Sequence, residues 1–428
     1  MRWIVASGAL CLAIFVATIP LPRVDGHLIG SDGFRYYAIV RSIVLDHDLD
    51  FTNDYQRLGV SIEPTATRLP ANPFAIGSAL LWLPFFCLAH TLSLLIAGLG
   101  VAIPVDGVGY LYESAVCIAT IGYASAGFLL TYWLLRRLYD VTVALLATLA
   151  MWWATAAIYY TIAEPSMSHG LTIFSNALFL WMWSSPTRPR PRTWWFTLGL
   201  AGALVALVRW QEGVVLVVPI IELIVRIHRR QPSIADLAGN ALALTAGFAI
   251  GFVPQMIMWA TVYGTPLIIP QGSNFMLWAS PHPLATLISS RHGMLSWHPV
   301  LLLAAFGIVP LWRRQRALAL VAVGSFLVQL YVSSAAADWW AGDAFGGRRF
   351  TGLLPLFALS LAALLSASRQ RMRTASWAVL LSLFVVWNGL CFTQYRLGLI
   401  SRRDALTWQE MTIDRLLIPW TLVQKLRP

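Results

Sequence analysis

A carboxylate beside a membrane can take a proton from a hydroxyl, and a pair of arginines can hold a phosphate. Both kinds of residue recur at a few places in this chain of 428 residues. The acids concentrate early: of nineteen, seven (Asp25, Asp32, Asp46, Asp48, Asp50, Asp54 and Glu63) fall within 22–73. Asp32 opens a stretch, 31–47, in which Tyr36, Ile39, Val40, Ile43 and Val44 follow helical spacing. That pattern predicts a helix lying along a membrane surface. Ser31 and Asp32 both suit an N-cap, where helix-end N–H groups would keep an Asp ionised. Asp32 reads equally as a carboxylate held at the bilayer surface to take a proton from an acceptor hydroxyl. Asp46, Asp48 and Asp50 have alternating spacing that could bind a divalent cation. The run lacks the Gly and distal Glu of an EF-hand and reads as a solvated loop edge, so no metal ligand is assigned.

Four other places could carry chemistry. Glu164 and His169 lie in YYTIAEPSMSHG, between the end of one apolar span and the start of the next. Ionisable residues at such a turn suit a functional site, and Glu164 alternatively caps the helix near Pro165. Arg209 and Glu212, in VRWQEG, interrupt an apolar hairpin at i, i+3, a spacing that predicts pairing on a helix. Arg291 stands beside His292, with His282 and His298 near, in no helical zinc arrangement. Finally, DWWAGDAFGGRRF (338–350) gathers Asp338, Trp339, Trp340, Asp343, Arg348 and Arg349 among three glycines. Arginine pairs suit phosphate, Trp faces suit a sugar ring, a prenyl chain or a membrane interface, and glycines suit close backbone approach.

The elements that must position these residues follow from composition. Hydrophobic residues make up 58% and charged residues 11%, far below the roughly 25% charged residues of soluble domains. The chain reads as an all-α polytopic membrane protein. The net charge of +11 is spread over short inter-span loops, which excludes a nucleic-acid face and fits the positive-inside pattern. Lys425 is the sole lysine, which excludes a Walker A loop. Cys11, Cys87, Cys117 and Cys391 all sit in apolar runs without ligand spacing.

Residues 1–21 read as a retained first span. Further spans are expected near 111–135, 141–160, 169–185, 194–210, 213–227, 237–262, 294–312, 317–336, 350–367 and 375–395, eleven in all. The apolar stretch 74–100, interrupted by Pro84, decides orientation. If it does not cross, the clusters Arg136-Arg137, Arg188/Arg190/Arg192, Arg226/Arg229/Arg230, Arg313/Arg314/Arg316 and Arg369/Arg371/Arg373 all fall opposite the acidic loop, as the positive-inside rule favours. It is therefore expected to be re-entrant or interfacial. Residues 1–395 then form one transmembrane domain with a long first extracytoplasmic loop (22–110), and 396–428 form an extracytoplasmic tail with a surface helix. Except for Asp140, Glu222 and Asp236, the acidic residues fall on the outer side or in the tail.

In order and topology the chain resembles the GT-C superfamily of polytopic glycosyltransferases, which includes protein O-mannosyltransferases and the aminoarabinose transferase acting on lipid A. The resemblance rests on a first span followed by GSDGFRYYAIVRSIVLDHDLDFTNDY, a Pro-containing segment LPANPFAIGSALLWLPFF, the acid-Pro turn in YYTIAEPSMSH, and the late loop WWAGDAFGGRRF. It covers about the first 215 residues and again 260–355. It implies a polyprenyl-phosphate sugar donor, an acceptor hydroxyl on a lipid, glycan or protein, inversion at the anomeric carbon, and contact with membrane lipids but not nucleic acid. It further implies that Asp32 is the base or acceptor anchor and that Glu164 is the second catalytic acid. Arg348, Arg349, Trp339, Trp340, Asp343, Arg291, His169, Arg209 and Glu212 are then the candidate substrate contacts, with no cofactor and no metal. The site would face outward from the cytoplasmic membrane. Where many relatives carry Asp-Glu, this chain has Asp32-Gly33, one carboxylate in place of two. A transporter or flippase of a lipid-linked or anionic envelope precursor is the alternative, though no inverted repeat is evident.

Overall fold

The computed structural model describes residues 1–21, 26–185, 190–228 and 233–425. Asp25, Arg188, Arg229 and Arg230 lie outside the described residues. Helix α1 (Arg2–Thr18) leads into the acidic segment, which folds as α2 (Gly33–Arg41), a π-turn over Ser42–Asp46 and α3 (Thr52–Leu58). Then come α4 (Gly77–Gly98), α5 (Tyr110–Arg136), α6 (Val141–Trp153), α7 (Ala157–Ile162), α8 (His169–Trp183) and α9 (Arg192–Val208). A 3-10 segment, Trp210–Leu216, joins α9 to α10 (Val217–His228), followed by α11 (Ile234–Tyr263), α12 (Pro283–Ile288), α13 (Met294–Trp297), α14 (Val300–Arg314) and α15 (Arg316–Ser334). Another 3-10 segment, Arg348–Leu353, opens α16 (Leu354–Ala367), and α17 (Thr374–Arg396) precedes the short tail helices α18 (Trp408–Met411), α19 (Ile413–Leu416) and α20 (Ile418–Lys425). Among the described residues the only β pairing is two isolated bridges, Pro64 with Pro70 and Met276 with Ala336.

Among the described residues six helices are long and apolar enough to cross a membrane: Gly77–Gly98, Tyr110–Arg136, Ala235–Tyr263, Arg316–Ser334, Arg348–Ala367 and Thr374–Arg396. Three shorter apolar helices, Arg2–Thr18, Val141–Trp153 and Arg192–Val208, accompany them. The chain is an all-α, multi-pass membrane protein. Its apolar residues therefore divide between helix packing and exposed faces, as on α17, where Val379, Leu383 and Val386 stand exposed while Leu381, Asn388 and Cys391 are buried. Glycines bring helices close. A Cβ on Gly247 of α11 would strike the backbone of Phe196 in α9, and one on Gly307 of α14 would strike that of Ser360 in α16. Small residues at such crossings let backbones approach where lipid supplies no hydrophobic drive.

The expected span over 141–160 breaks at 154–156 into α6 and α7. Thr155 stabilises the break, because its hydroxyl bonds back to the Met151 carbonyl and accepts from the Ala157 N–H. The helix predicted over 31–47 runs over 33–46, its last turn a π-turn, and it lies deeper than its stripe implied. Tyr36, Tyr37, Ala38, Ile39 and Val40 are all buried, so α2 is covered on several sides and does not lie on lipid with one face. Nor is the Asp46–Asp50 run a loose edge. Asp46 accepts from Arg41 and Asn53, Asp48 from Ser42, and Asp50 from Thr52. The buried Asp54 shares Arg41 at 2.7 Å.

Helix α4 packs antiparallel to the first half of α5: Trp82 Nε1 donates to Thr120, and His90 meets the Tyr112 hydroxyl. The segments before and after α4 both contact the acidic segment. Ahead of α4, the Asn72 side chain donates to the Arg35 carbonyl. After it, the carbonyls of Asp106 and Gly107 accept from Arg41 and Tyr37, and Glu113 at the start of α5 accepts from the Leu28 N–H. The tail is anchored at Arg415, wholly buried over the ring of Trp387 and against Gln394, while Trp408, Leu416 and Trp420 stand exposed.

The α14–α16 crossing gives a direct test. Gly307→Ala should destabilise the protein by about 1–3 kcal/mol through overpacking, whereas Gly122→Ala, with open space around it, should not. Thermal unfolding of both variants in one detergent checks this.

Candidate active site

The site is assembled at one end of the bundle from several chain segments distant in sequence. Asp32 stands at the N-cap position of α2 but its side chain makes no capping bond. The residue before it explains the departure. Ser31 has φ 52, a left-handed conformation uncommon for a non-glycine residue and one that costs on the order of 1 kcal/mol. Beyond this turn the Asp32 carboxylate pairs with Arg348 at 3.1 Å. Capping therefore does not explain this aspartate, and the ion pair does.

Gly33 explains the missing second carboxylate. A Cβ at this position would run into the Ser166 side chain, in the turn that carries Glu164. The first acidic segment and the acid-Pro turn pack too closely for any side chain at 33. Glu164 itself accepts the Tyr159 hydroxyl at 2.7 Å. Burial raises its pKa above the ordinary carboxylate range, against the pull of that hydrogen bond and of Arg348, Arg396 and Arg402. Arg348 is thus the cation to which Asp32 pairs directly and toward which Glu164 is drawn through space.

Around Asp32 lies a cleft of about 180 Å³ lined by Tyr36, Arg209, Gln271, Asp338, Arg348 and Arg349, among others. Tyr36, one turn along α2 from Asp32, accepts from the Ser168 hydroxyl at 2.9 Å. Arg349 pairs with Asp338 at 2.5 Å. Arg209 lies 3.3 Å from His169 Nε2 and 3.4 Å from Ser168 Oγ. Among the described residues no carboxylate lies within ion-pair distance of Arg209, so it is the arginine of the cleft not neutralised by an aspartate. The expected Arg209–Glu212 pair does not form. Arg209 is in extended backbone, φ −149 and ψ 111, so the helical i, i+3 geometry that would join them is absent. Glu212 turns instead to a buried position where Gly352 leaves room for its carboxylate beside Asn176.

The late loop divides. Arg348, Arg349 and Asp338 line the cleft. Trp339, Trp340, Asp343 and Arg291 do not: Arg291 lies 3.7 Å over the Trp340 ring and bonds the Arg403 carbonyl, while Asp343 pairs with Arg403 at 2.7 Å. Arg291 and Asp343 join the loop to the tail, Trp340 lies under Arg291, and Trp339 packs on Trp340 and His282. His169 sits behind the cleft, buried, 3.2 Å from Thr351 Oγ1. The loop glycines meet their neighbours closely, since a Cβ on Gly346 would collide with the His298 ring and one on Gly347 with Met294. Sequence reading left out Tyr36, Ser168 and Asp338 as site residues. The position of Tyr36 four residues after Asp32, on the same helix face, was the available signal. Among the described residues no group of three or more His, Cys, Asp or Glu could hold a metal ion.

No protein-family model and no curated protein sequence matches the chain. Solved structures do. Apo ArnT from Cupriavidus metallidurans is 15% identical, with 98% of this chain and 72% of that chain covered and a TM-score of 0.51. The Archaeoglobus fulgidus oligosaccharyltransferase, in a complex with Zn and sulfate, is 14% identical over 95% of this chain and 54% of that chain, at 0.53. The archaeal oligosaccharyltransferase AglB from the same organism, in complex with an inhibitory peptide and a dolichol-phosphate, is 13% identical over 100% and 58%, at 0.51. The chain spans little more than half the length of these two archaeal chains. At such identities the likeness is one of fold: over nearly its whole length the chain shares the fold of these ArnT and oligosaccharyltransferase structures.

His292 supplies a pH test of the loop's anchoring. Burial lowers its pKa to about 4, against the hydrogen bond to the Trp340 carbonyl, with Arg348 and Arg291 adding to the lowering. A histidine buried neutral stabilises the fold fully above its ordinary value near 6.5, and that stability is lost as pH falls toward 4. Acidification through this window should loosen 338–350 by up to about 3 kcal/mol. Limited proteolysis across pH 4–7 should show increasing cleavage on the acid side, and His292→Gln should flatten the profile.

Proposed function

We propose that the protein is a membrane glycosyltransferase moving a sugar from a polyprenyl-phosphate donor to an acceptor hydroxyl, with Asp32 as the base. The observation that carries this reading is the convergence of two carboxylates, Asp32 and Asp338, and three guanidinium groups on a single cleft at one end of a GT-C fold, with Asp338 engaged by Arg349. Asp32 takes the acceptor proton. The acceptor oxygen attacks the anomeric carbon from the side opposite the phosphate, and the bond from that carbon to the phosphate oxygen breaks with inversion. The electron pair leaves on the phosphate, where Arg209 stabilises the growing charge, assisted by Arg349. Arg348 fixes the direction of the Asp32 carboxylate, and Glu164 supports Arg348 from its other side. The dolichol-phosphate in the AglB complex supports a lipid-phosphate partner for this chain. The contact of the segments before and after α4 with the acidic segment, together with the arginine clusters, supports an outward-facing site in the cytoplasmic membrane. In this reading 1–395 is the catalytic domain and 396–428 braces its late loop. The sugar is a hexose or a pentose.

The test is transfer by purified protein supplied with labelled polyprenyl-phosphate sugars and membrane-derived acceptors. Asp32→Asn should lower transfer by about 10²–10⁴ with protein amount unchanged, and Arg209→Ala by about 10²–10³. Normal transfer by Asp32→Asn ends the assignment of the base. Passage of labelled donor across proteoliposomes without sugar release would favour a transporter instead.

A further inference from the structure

The end of the bundle opposite the Asp32 cleft holds the larger opening, a cavity of about 1050 Å³. Helix α8 starts at His169, behind the cleft, and ends at Trp183, in the cavity wall. Its 15 residues separate the two by roughly 22 Å. The sequence reading treated the arginines here as orientation signals only, and the sugar-transfer chemistry does not use them.

The cavity is graded. Deep in the bundle its lining is buried and apolar, with Leu180, Val321, Leu356 and Leu359. Arg137, Arg190, Arg192, Arg226, Glu222 and Asp236 also line it, and of these Arg137, Arg192 and Asp236 are exposed, which places them at the mouth. Glu222 is shared by Arg190 at 2.8 Å and Arg226 at 2.6 Å. Asp236 accepts from the Ser233 hydroxyl at 2.7 Å. Arg137 is exposed, held by the Trp181 carbonyl and the Ser184 hydroxyl, with its guanidinium 5.0 Å from the Trp181 ring. Arg192 is also exposed and lies across Gly239, where a Cβ would press on its guanidinium. Among the described residues neither Arg137 nor Arg192 has a carboxylate within ion-pair distance. The mouth therefore carries two uncompensated cations in front of an apolar interior.

We propose that this cavity seats an anionic phospholipid, its phosphate at Arg137 and Arg192 and its acyl chains along the wall formed by Leu318, Val321, Leu356 and Leu359. Two physical arguments select an amphiphile. A soluble phosphate would use only the mouth and leave the large apolar interior without a ligand, whereas a nucleotide would bury polar base edges against aliphatic walls that offer them no hydrogen bonds. A leaflet lipid has the matching polarity, charged at the membrane surface and apolar toward its centre, and basic pockets between membrane helices recognise such head groups. Binding here is independent of the Asp32 chemistry.

Native mass spectrometry of the full chain in detergent tests this, with phosphatidylglycerol and phosphatidylcholine of identical acyl chains as probes and inorganic phosphate as competitor. Wild type should retain phosphatidylglycerol over phosphatidylcholine. R137A/R192A should lose about tenfold of that retention, and R137K/R192K should restore most of it. Leu318→Trp, which fills the interior without changing charge, should lower retention of both lipids and serves if the arginine variant does not fold. R313A/R371A, on arginines that do not line the cavity, should leave retention unchanged. Equal retention of the two lipids by wild type, unchanged retention in R137A/R192A, an equal loss in R313A/R371A, or displacement by inorganic phosphate would each overturn the proposal.

Discussion

The ion pair between Asp32 and Arg348 is the constraint on which the site depends. The two residues are far apart in sequence, and the Arg348 side chain is only 11% exposed. Pairing offsets the cost of burying such a guanidinium, which is several kcal/mol when uncompensated. Its partners come from separate parts of the chain: Asp32 from the acidic segment, and Glu164 from the turn before α8, acting through space. One cation thus fixes the mutual position of the three segments that carry the proposed chemistry.

Glycines make that arrangement sterically possible. Gly33 lets α2 meet the 163–168 turn, Gly352 lets the start of α16 meet Glu212 and Asn176, and Gly346 lets the late loop close on His298. Each removes a side chain where two backbones or a backbone and a charged group converge. The single carboxylate at Asp32-Gly33 therefore has a packing cause: the space a neighbouring acid would occupy is taken by Ser166.

The two ends of the bundle differ in the use they make of arginine. At the cleft, Arg348 and Arg349 each face an aspartate and Arg209 faces none. At the opposite end, Glu222 serves two arginines while Arg137 and Arg192 stand at the mouth of an apolar cavity. In both places the arginine without a carboxylate partner is the one available to a phosphate, but a small polar cleft suits the turnover of a head group and a deep apolar cavity suits the residence of a chain.

The sequence by itself determined the all-α membrane class, because an apolar run of membrane length leaves the backbone no other way to satisfy its hydrogen bonds. It also singled out Asp32, Glu164 and the 338–350 loop, since charged residues are only 11% of such a chain and stand out. It misjudged what depends on a partner distant in sequence. Helical spacing predicted that Arg209 and Glu212 pair, yet an extended residue at 209 sends them apart. A shared loop suggested that Trp340 and Arg348 serve one site, yet Arg291 and Arg403 draw one half of that loop toward the tail. Apolar periodicity laid α2 on a surface, yet the segments folded over it bury it. Periodicity and composition are local properties of a chain. Which charge meets which is decided by the tertiary structure, because burial makes an unpaired charge costly and only the fold determines which partners are within reach.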